Sequence, residues 1–563
     1  MIPLCRSTVA NAWRAGRHGV RKRAAGNTRF SAAPIALLAG LLLASPGAAV
    51  VADRDGLAAY MTARVADSDA DAAQVLRGYA AALAAAPGNA DVALRAWREA
   101  MAAGDDALAD RAAATLAAAG KLPDDAALPA VATAARGRDP AAVDAAIGRL
   151  SAGQLRALAV PLQAYAAQQR GGDPLPLLAQ PAHDAIARRL IDETRALILI
   201  ARRRPDEALA ALAPLIGNNP ASLDLRIAAA QLLIGQGQVA LARGLLVGDS
   251  PVVAALRARP EGVKPTLATG AARMFVRLAD DLAAGDAGLL SITLTRAALR
   301  AEPGNDRARL LLADALARQD APDRALAVLD AVSADGPYGA SAAAGRVAIL
   351  AGADRIEAAI AAAAPLAAAP DAPDSAISTL GDLLMTADRP RDAAALYARV
   401  IDRPGGAANW QAWLRYAAAL DGAGDWAGAR KALLRALALA PDEPVVLNYL
   451  GYGDITHGGA VKPALAMLEK AATLRPNDAA IVDSLGWAYY RSGAVARAVP
   501  LLERAAEASP DNAEIGEHLG DAYWASGRRY EARYAWRAAQ ATADADVDAR
   551  LATKIAAGIP SAQ

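Results

Sequence analysis

The residue types that most often bind metals or act in catalysis are sparse in this sequence and stand apart from one another. Its four histidines are His18, His183, His457 and His518, and none belongs to a metal-binding pattern such as H-x3-H or H-E-x-x-H. The one cysteine, Cys5, has no second thiol for a disulfide or a zinc site. We therefore expect no metal site and no nucleophile–histidine pair, and we expect His518 to be a partly exposed helix residue.

Carboxylates and glycine-rich loops give no catalytic pattern either. The sequence contains no G-x4-G-K-S/T, no strand-linked G-x-G-x-x-G and no G-x-S-x-G. Neighbouring residues on a helix point about 100° apart, so adjacent acidic residues favour caps and solvated faces over catalytic dyads. The adjacent pairs are Asp105-Asp106, Asp124-Asp125 and Asp280-Asp281. We expect no enzyme, no cofactor and no small-molecule substrate.

The elements that would position any functional residue are helices. In residues 481–512, apolar residues recur at steps of three and four in two runs, one around Leu485 and the other around Leu502. Gly493 separates the runs, and Pro510 ends the second because proline cannot continue a helix. The pattern predicts two short antiparallel helices. Such a pair cannot bury its apolar face alone, so it needs neighbours.

The helix pair repeats at intervals of about 34 residues. Gly451, Gly486 and Gly520 hold equivalent positions, where two helices must cross closely. The later members of each unit are Ala464 and Leu468, Ala498 and Leu502, and Ala532 and Trp536, and the closing prolines are Pro441, Pro476 and Pro510. Stacked pairs of this kind would bury a continuous core.

The pattern resembles the tetratricopeptide repeat (TPR), whose unit follows W-x2-L-G-x2-Y, then A-x3-F, then P. Leu485-Gly486-x2-Tyr489 matches it, as does Leu519-Gly520-x2-Tyr523. Weaker units can be placed on Trp413/Ala417/Leu433, Gly381/Tyr397, Ala313/Ala325/Leu329, Ala279/Thr295/Pro303, Ala230/Ala242/Leu246 and Ala196/Ala208/Leu212. The resemblance implies an all-α fold, an α-solenoid of antiparallel helix pairs forming a right-handed superhelix.

Composition favours the same architecture. Hydrophobic residues make up 55% of the chain, but only two are phenylalanine, too few bulky side chains for one large globular core. A solenoid has no such need, because each repeat packs only on its neighbours. We expect one array, bent or divided near 121–181, where prolines are frequent.

The first 52 residues have the layout of a secretory signal peptide. Seven basic residues and no acidic one precede an apolar run within 34–52, too short for the ~20 residues that span a bilayer. Small residues at Ala49 and Ala52 predict cleavage near 49 or 52. A mitochondrial transit peptide and an uncleaved N-terminal anchor remain alternatives. We expect an exported, periplasmic or envelope-associated protein.

Removing that segment changes the net charge from +1 to about −6, because it takes away seven basic residues. A nucleic-acid binder would show a basic stripe instead, so we expect no nucleic-acid partner. The remaining chain has no cysteine, which is compatible with an oxidising compartment.

In the tetratricopeptide family, the first helix of each pair lines a concave groove that binds peptides. By this resemblance, the groove residues would be Asn448, Tyr452, Asp483, Trp487, Tyr490, Arg491, Glu514, Glu517, Asp521 and Trp524. An acidic and aromatic wall of this kind suits a basic peptide or helix, through charge pairing and cation–π contacts. As an alternative, Trp487 and Trp524 pack on another element, such as the tail after Ala541.

The hypothesis is a non-enzymatic scaffold that binds a protein partner, expected to be a basic segment, in the bacterial cell envelope. The alternatives are a structural subunit that organises an envelope complex, such as a secretion or surface-polysaccharide assembly, and an enzyme within 121–270. The predicted organisation is a signal peptide (1–52), degenerate helical pairs (53–120), a proline-rich joint (121–185), a degenerate array (186–405), a well-formed array (406–546) and a tail (547–563).

Overall fold

The computed structural model describes residues 47–68, 72–137, 139–217, 220–283, 285 and 288–559. Within these ranges the chain forms twenty-nine α-helices and four short 3-10 helices, and no strand. None of the described helices is both long and apolar enough to cross a membrane. The basic segment, Cys5, His18 and most of the apolar run of the predicted signal peptide lie outside the described residues, and residues 47–52 begin the first helix.

The described chain forms two compact units, which divide between Arg355 and Ile356. The N-terminal unit contains seventeen helices. They are α1 (Gly47–Ser68), α2 (Ala72–Ala85), α3 (Ala90–Ala103), α4 (Asp106–Ala118), α5 (Ala127–Arg136), α6 (Pro140–Ala152), α7 (Ala159–Gln169), α8 (Ala185–Ala201), α9 (Pro205–Leu212), α10 (Pro220–Gly235), α11 (Val239–Leu245), α12 (Pro251–Ala258), α13 (Leu267–Leu282), α14 (Gly288–Ala301), α15 (Asp306–Arg318), α16 (Pro322–Asp330) and α17 (Gly339–Gly352).

The proline-rich segment 121–185 belongs to the core of the N-terminal unit. Leu128 of α5 and Leu162 of α7 are buried in one cluster with Phe275 of α13 and Leu294 of α14. The two compact units divide between Arg355 and Ile356, outside 121–181, where the sequence predicts a bend or a division. Prolines are accommodated there because several occupy first turns of helices, where their missing amide costs no helical hydrogen bond.

The C-terminal unit contains twelve helices. They are α18 (Ile356–Ala368), α19 (Asp374–Thr386), α20 (Pro390–Ile401), α21 (Trp410–Gly422), α22 (Trp426–Leu439), α23 (Pro444–Thr456), α24 (Val461–Leu474), α25 (Ala479–Arg491), α26 (Val495–Ala508), α27 (Ala513–Ala525), α28 (Arg529–Gln540) and α29 (Ala545–Ala557). Four successive antiparallel pairs run from α21 to α28, each packed on the next.

Local sequence explains where these helices begin and turn. The Asp478 side chain accepts hydrogen bonds from the first backbone amides of α25, and Asn512 does the same for α27. Between the helices of a pair, Gly493 and Gly527 adopt φ values of 81° and 85°, which side chains other than glycine rarely tolerate. Each pair therefore consists of a helix, a turn that contains a glycine in the left-handed backbone conformation, and a second helix.

In each of the last three pairs, a glycine of the first helix meets a large side chain of the second. A Cβ atom on Gly486 would lie 2.8 Å from Cγ of Leu502, and one on Gly520 would lie 2.3 Å from the Trp536 ring. Leu502 and Trp536 are fully buried. The predicted packing of the repeat, and with it the all-α solenoid, is confirmed.

We expect Gly486→Val to lower the free energy of unfolding of the C-terminal unit by about 1–3 kcal/mol, because the added methyl groups overlap Leu502. Urea denaturation followed by tryptophan fluorescence measures this, since most tryptophans lie in that unit. Ala496→Val, on the exposed face of α26, is the control and should cost only about 0.5 kcal/mol. Equal losses in the two variants would contradict the close crossing at Gly486.

Candidate protein-binding site

Successive first helices of the C-terminal repeats pack directly on one another. α23 contacts α25, and α25 contacts α27, whereas the second helices α24, α26 and α28 approach one another less closely. The first helices therefore line the inner side of this array. We call the surface formed by α23, α25 and α27 the inner wall. All ten residues of the predicted groove lie on these three helices.

A buried ion pair joins two first helices of the inner wall. Nδ1 of His518 in α27 lies 2.9 Å from Oδ2 and 3.1 Å from Oδ1 of Asp483 in α25, and the side chains of both residues are buried. Burial acts to lower the pKa of His518, but Asp483 outweighs it, with Glu514 and Asp521 adding to the effect, and the pKa rises to about 9. His518 is therefore a cation at neutral pH.

Aromatic rings extend from this ion pair across three repeats. The Trp487 ring stacks on the His518 imidazole at 4.0 Å between centroids and on Tyr490 at 4.9 Å. Tyr452 of α23 lies 6.4 Å from the imidazole, and its hydroxyl donates a 2.8 Å hydrogen bond to Glu514. The Tyr452–Glu514 bond links the repeat of α23 to the repeat of α27, with the repeat of α25 between them. Trp487, Tyr490, Tyr452 and Glu514 are half-buried, so they retain exposed surface.

The last part of the inner wall is covered by the chain itself. Arg550 of α29 donates a 2.9 Å hydrogen bond to Glu517, and Lys554 donates to Glu517 at 2.8 Å and to both oxygens of Asp521 at 2.7 Å. Burial acts to raise the pKa of Glu517, but Arg550 and Lys554 outweigh it and hold the pKa below its usual range. Burial raises the pKa of Asp521 despite opposition from Lys554 and His518.

Trp524 also contacts the segment that follows the last repeat. Its Nε1 donates a 3.0 Å hydrogen bond to the carbonyl of Ile559, and its ring occupies the space that a Cβ on Gly558 would need. Arg529 lies over the same ring, 3.9 Å from its centroid. For Trp524 the structure matches the alternative interpretation, in which this ring packs on the tail after Ala541.

Three of the four acidic residues predicted to line the groove are buried. Asp483, Glu517 and Asp521 are 2%, 7% and 6% exposed. Asp483 is covered by the next first helix, α27, and Glu517 and Asp521 are covered by α29. A cation on the covering helix neutralises each of these acids. Arg491 is exposed at the end of α25, and Asn448 is half-buried with its Oδ1 enclosed.

The sequence did not predict the ion pairs that three residues form with the inner wall. His518 is predicted to be a partly exposed helix residue, and Arg550 and Lys554 are predicted to lie in a tail. A signal for them does exist in the repeat spacing. His518 follows Asp483 by 35 residues, one repeat, and Lys554 follows Gly520 by 34. Extending the repeat past Gly520 therefore places Lys554 on a further first helix, and α29 packs in that position.

A second concave feature lies in the N-terminal unit. A cavity of about 250 Å³ is lined by α10, α13 and the turns before α13 and α15. Its arginines are already paired: Arg307 with Asp224 and Asp280, and Arg277 with Glu193 and Asp281. All of these ion pairs except Arg277–Asp281, which lies within α13, connect different helices of the unit. Among the described residues, no three His, Cys, Asp or Glu side chains are grouped so that they could hold a metal ion.

Comparisons with known proteins agree with the repeat architecture. One family model described as a tetratricopeptide repeat matches residues 194–247, 378–444 and 463–513, and a second model of the same description matches 291–348. The matches at 194–247 and 291–348 confirm weak units that were placed on Ala208 and Ala325. No curated protein sequence matches the chain.

Three of the solved structures with similarity to this chain illustrate the extent of the likeness. MamA from Desulfovibrio magneticus is 18% identical, over 30% of this chain and 94% of its own, with a TM-score of 0.26. YrrB, described as a TPR protein with an unusual peptide-binding site, is 17% identical over 32% of this chain and 91% of its own, with a TM-score of 0.26. PilW, described as a type IV pilus biogenesis factor, is 21% identical over 33% of this chain and 85% of its own, with a TM-score of 0.30.

The buried ion pair predicts how stability depends on pH. The pKa of His518 is about 9 in the folded state and about 6.5 in an unfolded chain, so its stabilisation is complete below pH ~6.5 and is lost as pH rises through ~9. We expect the C-terminal unit to lose on the order of 2 kcal/mol of unfolding free energy over this range. Urea denaturation at several pH values measures the loss.

His518→Gln is the matched variant, because glutamine is similar in size and does not titrate. We expect it to be less stable than the parent at pH 6 and to lose much less stability between pH 6 and 9.5. A parent and variant with the same pH dependence would show that His518 is not the titrating group.

Proposed function

Because the chain is a tetratricopeptide-repeat protein, we propose that it is a non-enzymatic scaffold of the bacterial cell envelope whose inner wall binds a basic segment of a partner protein. Tetratricopeptide repeats support a role in protein–protein interaction. The site, the chemistry of the partner and the location are proposals that rest on the contacts described above and on the N-terminal sequence pattern.

The observation that carries the proposal is the contact between the inner wall and α29. This helix presents Arg550 and Lys554 four residues apart, and both cations bind acidic side chains of the wall. The chain therefore contains its own example of a helix seated on α27 through two cations. A partner segment with cations at the same spacing would use the same chemistry at the start of α27, beside Glu514.

The half-buried rings beside Glu514 give such a segment a second kind of contact. A cation over the exposed face of Trp487 or Tyr490 would gain about 0.5–2 kcal/mol from each cation–π interaction. The chain already contains contacts of this kind, since Arg491 lies 5.8 Å from the Trp487 centroid and Arg529 lies over Trp524.

The wall also supplies a preformed shape. His518, held between Asp483 and Trp487, fixes the orientation of the rings on either side of it. Because these side chains are already ordered, a partner would not have to order them on binding, which lowers the entropic cost of association. The first helices carry few cations of their own to repel a basic segment; Arg491 is at the edge of the wall.

We expect Tyr490→Ala combined with Glu514→Gln to abolish capture of a partner when tagged full-length protein is crosslinked in whole envelope. Both residues are half-buried, and the new glutamine side chain would still offer an acceptor to Tyr452, so the fold should persist, which circular dichroism checks. Leu289→Ala, an exposed apolar change in the N-terminal unit, is the control and should capture the same partner as the parent.

Mass spectrometry of the crosslinked peptide adds a second criterion. The partner segment joined to the inner wall should contain Lys or Arg residues spaced as on one helical face. Capture that is equal in the wall variant and the parent, or a crosslinked segment without basic residues, would contradict the proposed site.

Export is tested separately. We expect the protein expressed in a bacterium to enter the periplasmic or envelope fraction with a new N-terminus near residue 50 or 53, as mass spectrometry would show. Replacing Leu41 and Leu42 with arginine should interrupt the apolar run and retain the full-length chain in the cytoplasm. Cytoplasmic location of the parent would contradict the envelope proposal and leave the inner-wall proposal standing.

A further inference from the structure

The C-terminal repeats sort their charges between the inner and outer helices. The second helices α22, α24, α26 and α28 carry ten basic and four acidic residues, and the first helices α21, α23, α25 and α27 carry two basic and six acidic residues. The basic residues of the second helices are Arg430, Lys431, Arg435, Lys462, Lys470, Arg497, Arg504, Arg529, Arg533 and Arg537. We call the exposed surface of these second helices the outer face.

Exposed apolar side chains are concentrated on the same surface. In the described part of the C-terminal unit, every large hydrophobic side chain that is exposed lies on a second helix. They are Leu434, Val461, Leu474, Tyr530 and Tyr534. Single exposed apolar residues are common on protein surfaces, but here they are interspersed with cations on one side of the unit only.

The combination is densest on α28, the second helix of the last repeat. Tyr530 and Tyr534 are 83% and 70% exposed, one helical turn apart, with Arg529 and Arg537 beside them. The packing of α28 does not require these rings, because Ala532 and Trp536 on its opposite side form the buried contact. The one acidic residue of this helix, Glu531, is already bound by Arg528.

Several cations of the outer face are available to an external ligand. Within the described residues, Lys431, Arg435, Lys462 and Arg537 make no hydrogen bond or ion pair. In contrast, the three buried acids of α25 and α27 are neutralised internally through His518, Arg550 and Lys554. These unpaired cations are therefore displayed outward, where a negatively charged surface can approach them.

We propose that the outer face binds an anionic lipid surface, with Tyr530 and Tyr534 at the level of the headgroups and the neighbouring cations on the lipid phosphates. Tyrosine suits this depth because its ring is apolar and its hydroxyl stays hydrated. Lys and Arg near an anionic leaflet are attracted to it over about a Debye length, so cations of several helices contribute together.

The distribution of these residues favours lipid over an acidic protein. A protein interface depends on a few anchors buried in pockets of complementary shape. The outer face instead carries single apolar side chains separated by cations on α22, α24 and α28. Headgroups are fluid and can rearrange around dispersed side chains, so this pattern suits them better.

The test is sedimentation of the full-length protein with vesicles of phosphatidylglycerol and phosphatidylcholine, compared with vesicles of phosphatidylcholine alone. We expect binding to the anionic vesicles that weakens as salt is added. Tyr530→Ala/Tyr534→Ala and Lys431→Glu/Arg537→Glu should each weaken binding roughly tenfold or more. All four side chains are exposed, so the fold should be retained.

Arg491→Glu/Arg188→Glu, at exposed positions outside the outer face, is the charge-matched control and should bind the anionic vesicles as the parent does. The basic N-terminal segment is identical in all these proteins, so differences between them report on the outer face alone. The proposal is overturned if the outer-face variants bind like the parent, if the control loses as much binding as Lys431→Glu/Arg537→Glu, or if phosphatidylcholine alone is bound equally well. An acidic protein as the true ligand would give the first of these outcomes.

Discussion

The close crossing of two helices at one glycine is the contact on which each of the last three C-terminal repeats depends. A helix of about thirteen residues is marginal in water, and a pair of them still leaves an apolar side uncovered. At Gly486 and Gly520 the first helix comes close enough for Leu502 and Trp536 to fill the space between backbones. The pair then presents a surface on which the next pair can pack, and the array grows by repetition of this contact.

That stacking also determines which polar groups lose water. Side chains between consecutive first helices are covered by the next helix, so an acid in that position needs a cation from the neighbour. Asp483 obtains one from His518, and Glu517 and Asp521 obtain theirs from α29. The inner wall therefore consists of ion pairs beneath partly exposed rings, and its buried acids are balanced within the chain.

The sequence was sufficient to predict the helices, the turns and the repeat, because these depend on spacing and on glycine, alanine and proline. It was also sufficient to find the inner wall, since all ten predicted residues lie on three stacked first helices. It was insufficient to predict their exposure. Burial of Asp483 or Glu517 depends on the stagger between repeats, and α29 lacks the glycine and tyrosine that mark a first helix, so Lys554 was assigned to a tail.

The position of α29 has a consequence for self-association. An uncovered end of a solenoid is like an unpaired sheet edge, since it offers an apolar surface on which another copy could continue the stack. Leu551 of α29 is fully buried against α28, while the far side of the helix carries alanines with Asp546, Asp548 and Thr553. This side gives a second molecule little to pack on, so end-to-end growth into filaments is disfavoured at this end of the array.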